Sequence, residues 1–362
     1  MLPTACRYDK MSAYELFRRF GVSERAYELF LKPTLAVGLF APPEQLSAAA
    51  VLETLYFYAL SHQNNFDVCW CKGSISEKIF MPLVKNIEDS GGKVLGGRLV
   101  TGLVSNPESD TIAQVKATLK DGREETYPCD ALILAVSISG MQKLISNVPE
   151  LGNRREFGAI MNLKSIDCIA TRLWFDEKIS TRFPANVLAG FENDVGCTYF
   201  NLSELQDDLK SDPGTVVAAD FYGASELLPL SDEEIVRKVH QNITRCEPAF
   251  SCCTVLDSAV LRFPRAVTHF SPGSYTHRPR QVTSFSNTFL AGDYIKGLDH
   301  GANGLSQERA YVAGLAAANY VVNLLGVGQP AQILPVNPDE PHVGLAKRFN
   351  SVLTEALRLS FP

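Results

Sequence analysis

Two runs decide the fold. Thr288-Phe289-Leu290-Ala291-Gly292-Asp293-Tyr294 is followed, after a loop over 296–304, by Gly304-Leu305-Ser306-Gln307-Glu308-Arg309-Ala310. The first run reads as a short apolar strand that stops at Gly-Asp. The second opens a helix over 306–325 that is apolar nearly all round, through Ala310, Val312, Ala313, Ala316, Ala317 and Ala318, and such a helix is predicted to be buried. Strand followed by helix in this manner is α/β construction. A helix N-terminus carries unpaired N–H groups and a partial positive charge, which suit a phosphate or the anionic edge of a reduced cofactor ring. Gly292 lets a ligand approach the backbone, and the Asp293 carboxylate can accept from a ribose-type hydroxyl. Spacing alone leaves the plainer alternative open: a turn with an Asp cap.

Upstream, the run 131–136 (Ala-Leu-Ile-Leu-Ala-Val) is continuously apolar and predicts a strand covered on both faces. A helix over 75–90 with Ile79, Phe80, Leu83, Val84 and Ile87 on one face, the turn Gly91-Gly92 and a strand at Val94-Leu95 would make half of an α/β crossover. Segments 99–104, 113–119 and 125–127, with a turn at Asp121-Gly122, alternate as antiparallel strands do. A second layer of α+β type follows, with strands at 168–175, 215–221 and 259–263 and a helix over 232–243. At the start, Ser12 caps a helix that Gly21 stops, Ser23 begins another that ends near Pro33, and a third from Ser47 carries Leu52, Leu55, Tyr56 and Leu60 as its packing face. The fold class is α/β plus α+β.

Composition narrows the function. The chain has 362 residues, 46% of them hydrophobic and 20% charged, with 25 glycines and 20 prolines, the make-up of a globular protein. With 34 Lys+Arg against 40 Asp+Glu the net charge is -6, without the basic surface that nucleic acid requires. No apolar run is long enough to span a bilayer. The first residues lack the apolar core of a secretory signal and turn acidic by Asp9 and Glu15, unlike a transit peptide, so the chain is expected to be cytoplasmic unless a targeting segment is missing. Nine cysteines, including Cys69, Cys71 and the adjacent Cys252 and Cys253, show no paired metal-ligand spacing and read as reduced thiols, so no metal is expected.

Several of these runs together resemble the FAD-dependent amine oxidase superfamily, in its phytoene desaturase and zeta-carotene desaturase branch. They are Phe289 to Tyr294, Gly304 to Ala310 and Gly314-Leu315-Ala316-Ala317. Ser12-Ala13-Tyr14-Glu15-Leu16-Phe17, Pro43-Glu44-Gln45-Leu46-Ser47, Met81-Pro82-Leu83-Val84, Gly91-Gly92-Lys93-Val94 and Leu173-Trp174-Phe175-Asp176-Glu177-Lys178 fall in the same order. The resemblance implies a discontinuous, Rossmann-like FAD-binding domain formed by 68–140 and 283–330. It implies a mixed-sheet and helical substrate domain formed by 1–67 and 141–282, with 331–362 as connector and amphipathic helix. By the same resemblance Gly292 and Asp293 lie against the ribityl-pyrophosphate, and the amides near Ser306, Gln307 and Glu308 face the isoalloxazine edge. Ala310 then packs close to the ring, Leu99 rests against the adenine, and Ala135 approaches the pyrophosphate. Ser137 stands where similar proteins have proline. The family's Gly-x-Gly-x-x-Gly turn, which holds the pyrophosphate, does not occur in these 362 residues, so the FAD-binding domain is expected to be incomplete at its N-terminal side. A form that binds no flavin is therefore an alternative to the enzyme.

The implied activity is hydride transfer to flavin from a long apolar polyene, or its flavin-assisted isomerisation. A flavin amine oxidase is the other alternative. Tyr275, in Gly273-Ser274-Tyr275, matches one of the two aromatic residues with which amine oxidases flank the flavin; the second position is Ser306, which weighs against an amine. His269, His277 and His300 are candidates for acid-base work, although no single catalytic side chain is required. Desaturase-like relatives imply a plastid location and a peripheral membrane contact. The last helix, over 343–359, sets Leu345, Phe349, Val352 and Ala356 against Lys347 and Arg358, which suits a membrane interface. The rival expectation is that the same stripe packs on the protein's own core.

Overall fold

The computed structural model describes residues 8–66, 68–189 and 196–360. The N-terminal region is helical. Ser12 accepts from the Glu15 amide and caps α1 (Ala13–Arg19), and Gly21, at φ +71°, ends the turn that follows. The next helix does not end near Pro33. From Glu24 it passes through a wide π turn, Tyr27–Leu31, into α2 (Lys32–Leu39). That turn leaves Pro33 in the first turn of α2, and the helical path runs on through it. In α3 (Ala48–Thr54) the packed face is Ala48, Ala49, Ala50 and Val51, whereas Leu52 and Leu60 are exposed. Leu35, Leu39 and Val51 close one core with Ile166 of the sheet behind them and with Phe270, just past the sheet's last strand.

After α4 (Met81–Asp89) comes an antiparallel meander of β1 (Arg98–Asn106), β2 (Thr111–Leu119) and β3 (Glu124–Pro128). No strand forms at Val94-Leu95. Gly91 and Gly97 both take left-handed backbone, and the two apolar side chains between them are about half exposed, with no ladder partner among the described residues. The crossover expected from α4 is thus replaced by entry into the meander, and Ile79, Phe80, Leu83 and Ile87 are exposed. The apolar run at 131–136 gives β4 (Leu132–Leu134) and then α5 (Ile138–Asn147). Ser137, the departure from the family's proline, caps α5 by accepting from the Gly140 amide.

The largest sheet is antiparallel, in the order β6-β7-β8-β5-β9. Its members are β5 (Lys164–Phe175), β6 (Ala185–Leu188), β7 (Gly196–Asn201), β8 (Val216–Tyr222) and β9 (Val255–His269). β6 and β7 have no counterpart in the sequence reading, and β9 runs well beyond 259–263. A bulge carries the strand past Pro264: Arg265 sits at φ +50° and its amide donates to Asp167. One face of this sheet packs on α6 (Asp232–Cys246), with Val217, Ala219 and Phe221 against Ile235, Val239 and Ile243. A capping box between Ser231 and Glu234 starts α6, a motif worth about 1 kcal/mol.

The chain then returns to the α/β lobe. β10 (Thr288–Leu290) pairs in parallel with β4, joining Thr288 to Leu132, Phe289 to Ile133 and Leu290 to Leu134. Among the described residues these two form a sheet of their own, and β4 is covered on both faces as its composition suggested, Leu132 and Leu134 packing into one apolar cluster and Ile133 into another. α7 (Gln307–Leu325) packs on β10 through one stripe, Ala313 and Ala317 against Phe289 and Ala291. Ala310 and Tyr311 are exposed, Ala316 and Ala318 are half-buried, and the helix is not buried all round. α8 (Pro341–Ser360) buries Val343, but Leu345, Phe349 and Val352 are 66%, 72% and 65% exposed, so this stripe does not pack on the core. The side chains of Ala356 and Arg358 lie outside the described residues. No helix among the described residues is long and apolar enough to cross a membrane.

Candidate functional site

β4 and β10 run in parallel, so their carboxyl ends share one edge, and this is where ligands sit in open α/β sheets. Ala135 follows β4 and is exposed. Ala291, Gly292 and Asp293 follow β10. Gly292 is at φ +143°, and a Cβ there would come within 2.9 Å of the Tyr294 ring, so both conformation and space call for glycine.

The N-terminus of α7 lies beside this edge. Ser306 is its cap and accepts from the Arg309 amide at 3.4 Å. The exposed amides of Gln307 and Glu308 have no acceptor among the described residues. The turn His300–Asn303 leads into the helix with Gly301 and Ala302 both left-handed. A Cβ on Gly301 would lie 2.6 Å from that of Ser306, so the turn can press on the helix only because this residue is glycine.

Arg309 holds the assembly together, and sequence reasoning missed it. Fully buried, its guanidinium donates to the carbonyls of Asp293 at 2.8 Å, Leu298 at 2.5 Å, His300 at 3.2 Å and Ile295, tying the end of β10 to the turn before α7. Arg278 is also buried and donates to the carbonyls of Tyr294 at 2.9 Å and Ile295 at 3.1 Å. Burial pushes both guanidinium groups down to about 10. The Asp293 carboxylate accepts from Thr268 of β9 at 2.7 Å, which ties the α/β lobe to the large sheet. Burial raises it, against the opposing pull of that hydrogen bond and of the two arginines. The visible signal for Arg309 was a cation at the third position of an alanine-rich helix.

Two cavities open on the sheet side. The larger, about 880 Å³, lies between the N-terminal helices and β6 to β8, with Leu35, Tyr58, Phe200, Tyr222, Gly304 and Leu305 in its walls. The other, about 640 Å³, shares Trp70 and Phe200 with it and reaches Gln307. Neither lining includes Tyr275, whose ring lies under the Lys296 ammonium at 5.2 Å and the Arg278 guanidinium at 5.7 Å. Leu99 sits in the separate β1 to β3 sheet and is 70% exposed. Among the histidines, His269 faces the Gln45 carbonyl and burial lowers it, and His300 Nε2 faces the Leu334 carbonyl while its buried Nδ1 has no partner among the described residues. No cluster of three or more metal-ligating side chains occurs among the described residues.

These groups fit the ring end of a flavin: two free amides at the start of a 19-residue helix, an unpartnered imidazole nitrogen in the turn before it, and an apolar cavity alongside. The description flavin containing amine oxidoreductase matches residues 5–322, and the chain belongs to that family. FAD is the cofactor that this membership implies.

Among curated relatives, 15-cis-phytoene desaturase of Synechococcus elongatus is 23% identical over 291 residues, covering 79% of this chain and 60% of its own length. Zeta-carotene desaturase of Solanum lycopersicum is 25% identical over 339 residues, covering 87% and 55%. The chain thus spans little more than half the length of these relatives. Among solved structures, an oxidoreductase from Methanosarcina mazei (15% identity, TM-score 0.57, 85% of this chain and 68% of that one) has a similar fold. So does cyclohexylamine oxidase from Brevibacterium oxydans (12%, TM-score 0.57, 89% and 70%).

Proposed function

We propose that the protein is an FAD-dependent oxidoreductase of the phytoene desaturase-like branch, acting on a long apolar substrate by hydride removal or by flavin-assisted isomerisation. The observation that carries this reading is the apolar cavity of about 880 Å³ that reaches Gly304 and Leu305, immediately before the free N-terminus of α7. Bound FAD supplies the hydride acceptor. Gln307 and Glu308 would donate their amides to the ring's anionic edge, with Ala310 close to the ring and Gly292, Asp293 and Ala135 toward the ribityl-pyrophosphate. Leu99 would rest against the adenine. Arg309 fixes the turn that positions the helix start. The cavity walls exclude water and orient the substrate, and Tyr275 is a candidate substrate contact outside them.

The exposed Leu345, Phe349 and Val352 of α8 fit a peripheral contact with a lipid surface, where such a substrate dissolves. The tomato relatives are named chloroplastic/chromoplastic, which supports a plastid location. The test is the visible spectrum of the purified protein, together with quenching of FAD fluorescence when FAD is titrated in. Flavin absorbance, or saturable quenching that Gln307→Pro weakens, is expected. Protein that neither carries FAD nor quenches it would refute the reading in favour of a form that binds no flavin.

A further inference from the structure

The smaller cavity contains a group that the flavin reading does not use. Along β8, Val217, Ala219 and Phe221 face the core, so Ala218, Asp220 and Tyr222 point the other way. Asp220 thereby enters a wall formed by Trp70, Trp174, Phe200 and Leu261. Its carboxylate accepts no hydrogen bond among the described residues. A carboxylate desolvated in an apolar wall costs several kcal/mol unless something pairs with it, and desolvation pushes Asp220 up to about 6, with Arg172 opposing.

Arg172 reaches the same cavity from β5. In the register Ala170 is opposite Asp220 and Arg172 opposite Ala218, so the two charged residues are diagonal neighbours, roughly 7 Å apart along the backbone. They form no salt bridge with each other among the described residues. The cavity therefore offers an acceptor set in an apolar wall and, beside it, a donor from the exposed Arg172.

We propose that this cavity binds a long apolar alcohol, whose hydroxyl donates to Asp220 and accepts from Arg172. A hydroxyl is both donor and acceptor, and so completes both groups. An ammonium has no lone pair for Arg172 and meets its charge. A carboxylate is repelled by Asp220, and a hydrocarbon seals the site while leaving Asp220 desolvated and unpaired. The inference adds a polar end to the apolar substrate class of the proposed function, but its test needs no flavin, so either can fail without the other.

The chain has two tryptophans, and both line this cavity; Trp70 also borders the larger one, so the emission of Trp174, read in Trp70→Phe, reports the occupancy of this cavity. Titration with 1-dodecanol, dodecane and dodecylamine should give a saturable emission change for the alcohol, with affinity about tenfold above the alkane, the worth of one hydrogen bond to a charged group. Asp220→Leu should erase that preference. Asp220→Asn, which keeps an acceptor, should retain it within about threefold. Dodecane binding as tightly as dodecanol, dodecylamine binding more tightly than dodecanol, no saturable response to dodecanol, or a preference that survives in Asp220→Leu would each overturn the proposal. Should Asp220→Leu fail to fold, the three ligands on Trp70→Phe and on Asp220→Asn in the same background still decide it.

Discussion

Replacing Arg309 with Met keeps the aliphatic stem and deletes the guanidinium that four backbone carbonyls share. The Ile295 carbonyl keeps Arg278 as a donor, and each of the other three left without one costs about 1.5 kcal/mol, together about 4.5 kcal/mol. The substitution also removes a buried charge. Its shift from 12.5 to about 10 corresponds to roughly 3 kcal/mol of desolvation that the variant no longer bears. The net loss is about 1.5 kcal/mol. At about 2.1 cal/mol/K per residue this lowers the melting temperature by about 2 °C. Differential scanning calorimetry at pH 7 reads the shift, and FAD-fluorescence quenching should weaken with it, because the turn before α7 loses its tie to β10. A variant that melts within 1 °C of the parent and quenches FAD equally would show that Arg309 does not hold the site.

Asp220→Asn should stabilise the protein in a pH-dependent way. A carboxyl raised from 3.8 to about 6 binds its proton more tightly in the folded state, so wild-type stability falls as pH rises between about 4 and 6 and is level above. By urea denaturation the variant should gain up to about 3 kcal/mol on wild type across that window, and parallel profiles would contradict it. Ser231→Ala removes the capping box of α6 and should cost about 1 kcal/mol in the same assay. Gly301→Val puts a β-branched side chain at φ +58° and within 2.6 Å of Ser306, and should cost at least about 2 kcal/mol and weaken FAD quenching; unchanged quenching would separate the turn from the site. Leu345→Glu combined with Phe349→Glu should abolish sedimentation with anionic vesicles without changing the melting temperature, since both side chains are exposed.

What the sequence made legible was local. The Ser12 cap, the stop at Gly21, the strand just before Gly292-Asp293 and the helix start at Ser306 all depend on neighbouring residues, and all stand in the structure. What it hid depends on partners far away in the chain. β6 and β7 are short and acquire strand character only from their ladders, β7 on β8 and β6 on β7. β9 continues past Pro264 because Asp167, on another strand, receives the bulge amide. In α3 and α7 a run of apolar residues did not reveal which stripe packs, since that is set by where Phe270 and Phe289 lie. The same limit applied to the site: Gln307 and Glu308 could be read from a helix start, whereas Arg309, Arg172 and Asp220 gain their meaning from carbonyls and strands that only folding brings together.

The pairing of β4 with β10 joins segments roughly 150 residues apart. At a synthesis rate of about 5–20 residues per second, roughly 10–30 s pass between the emergence of the two strands. The large sheet is made wholly from 164–269, so it can close during that interval. Closing a flexible loop of that length would cost about 4 kcal/mol in chain entropy, and a sheet already folded between the two strands removes most of it by bringing their ends near each other. Assembly thus has a direction on the ribosome: the apolar cavity acquires its sheet wall first, and the edge proposed above to face the cofactor forms later, when Thr288 to Leu290 finds β4.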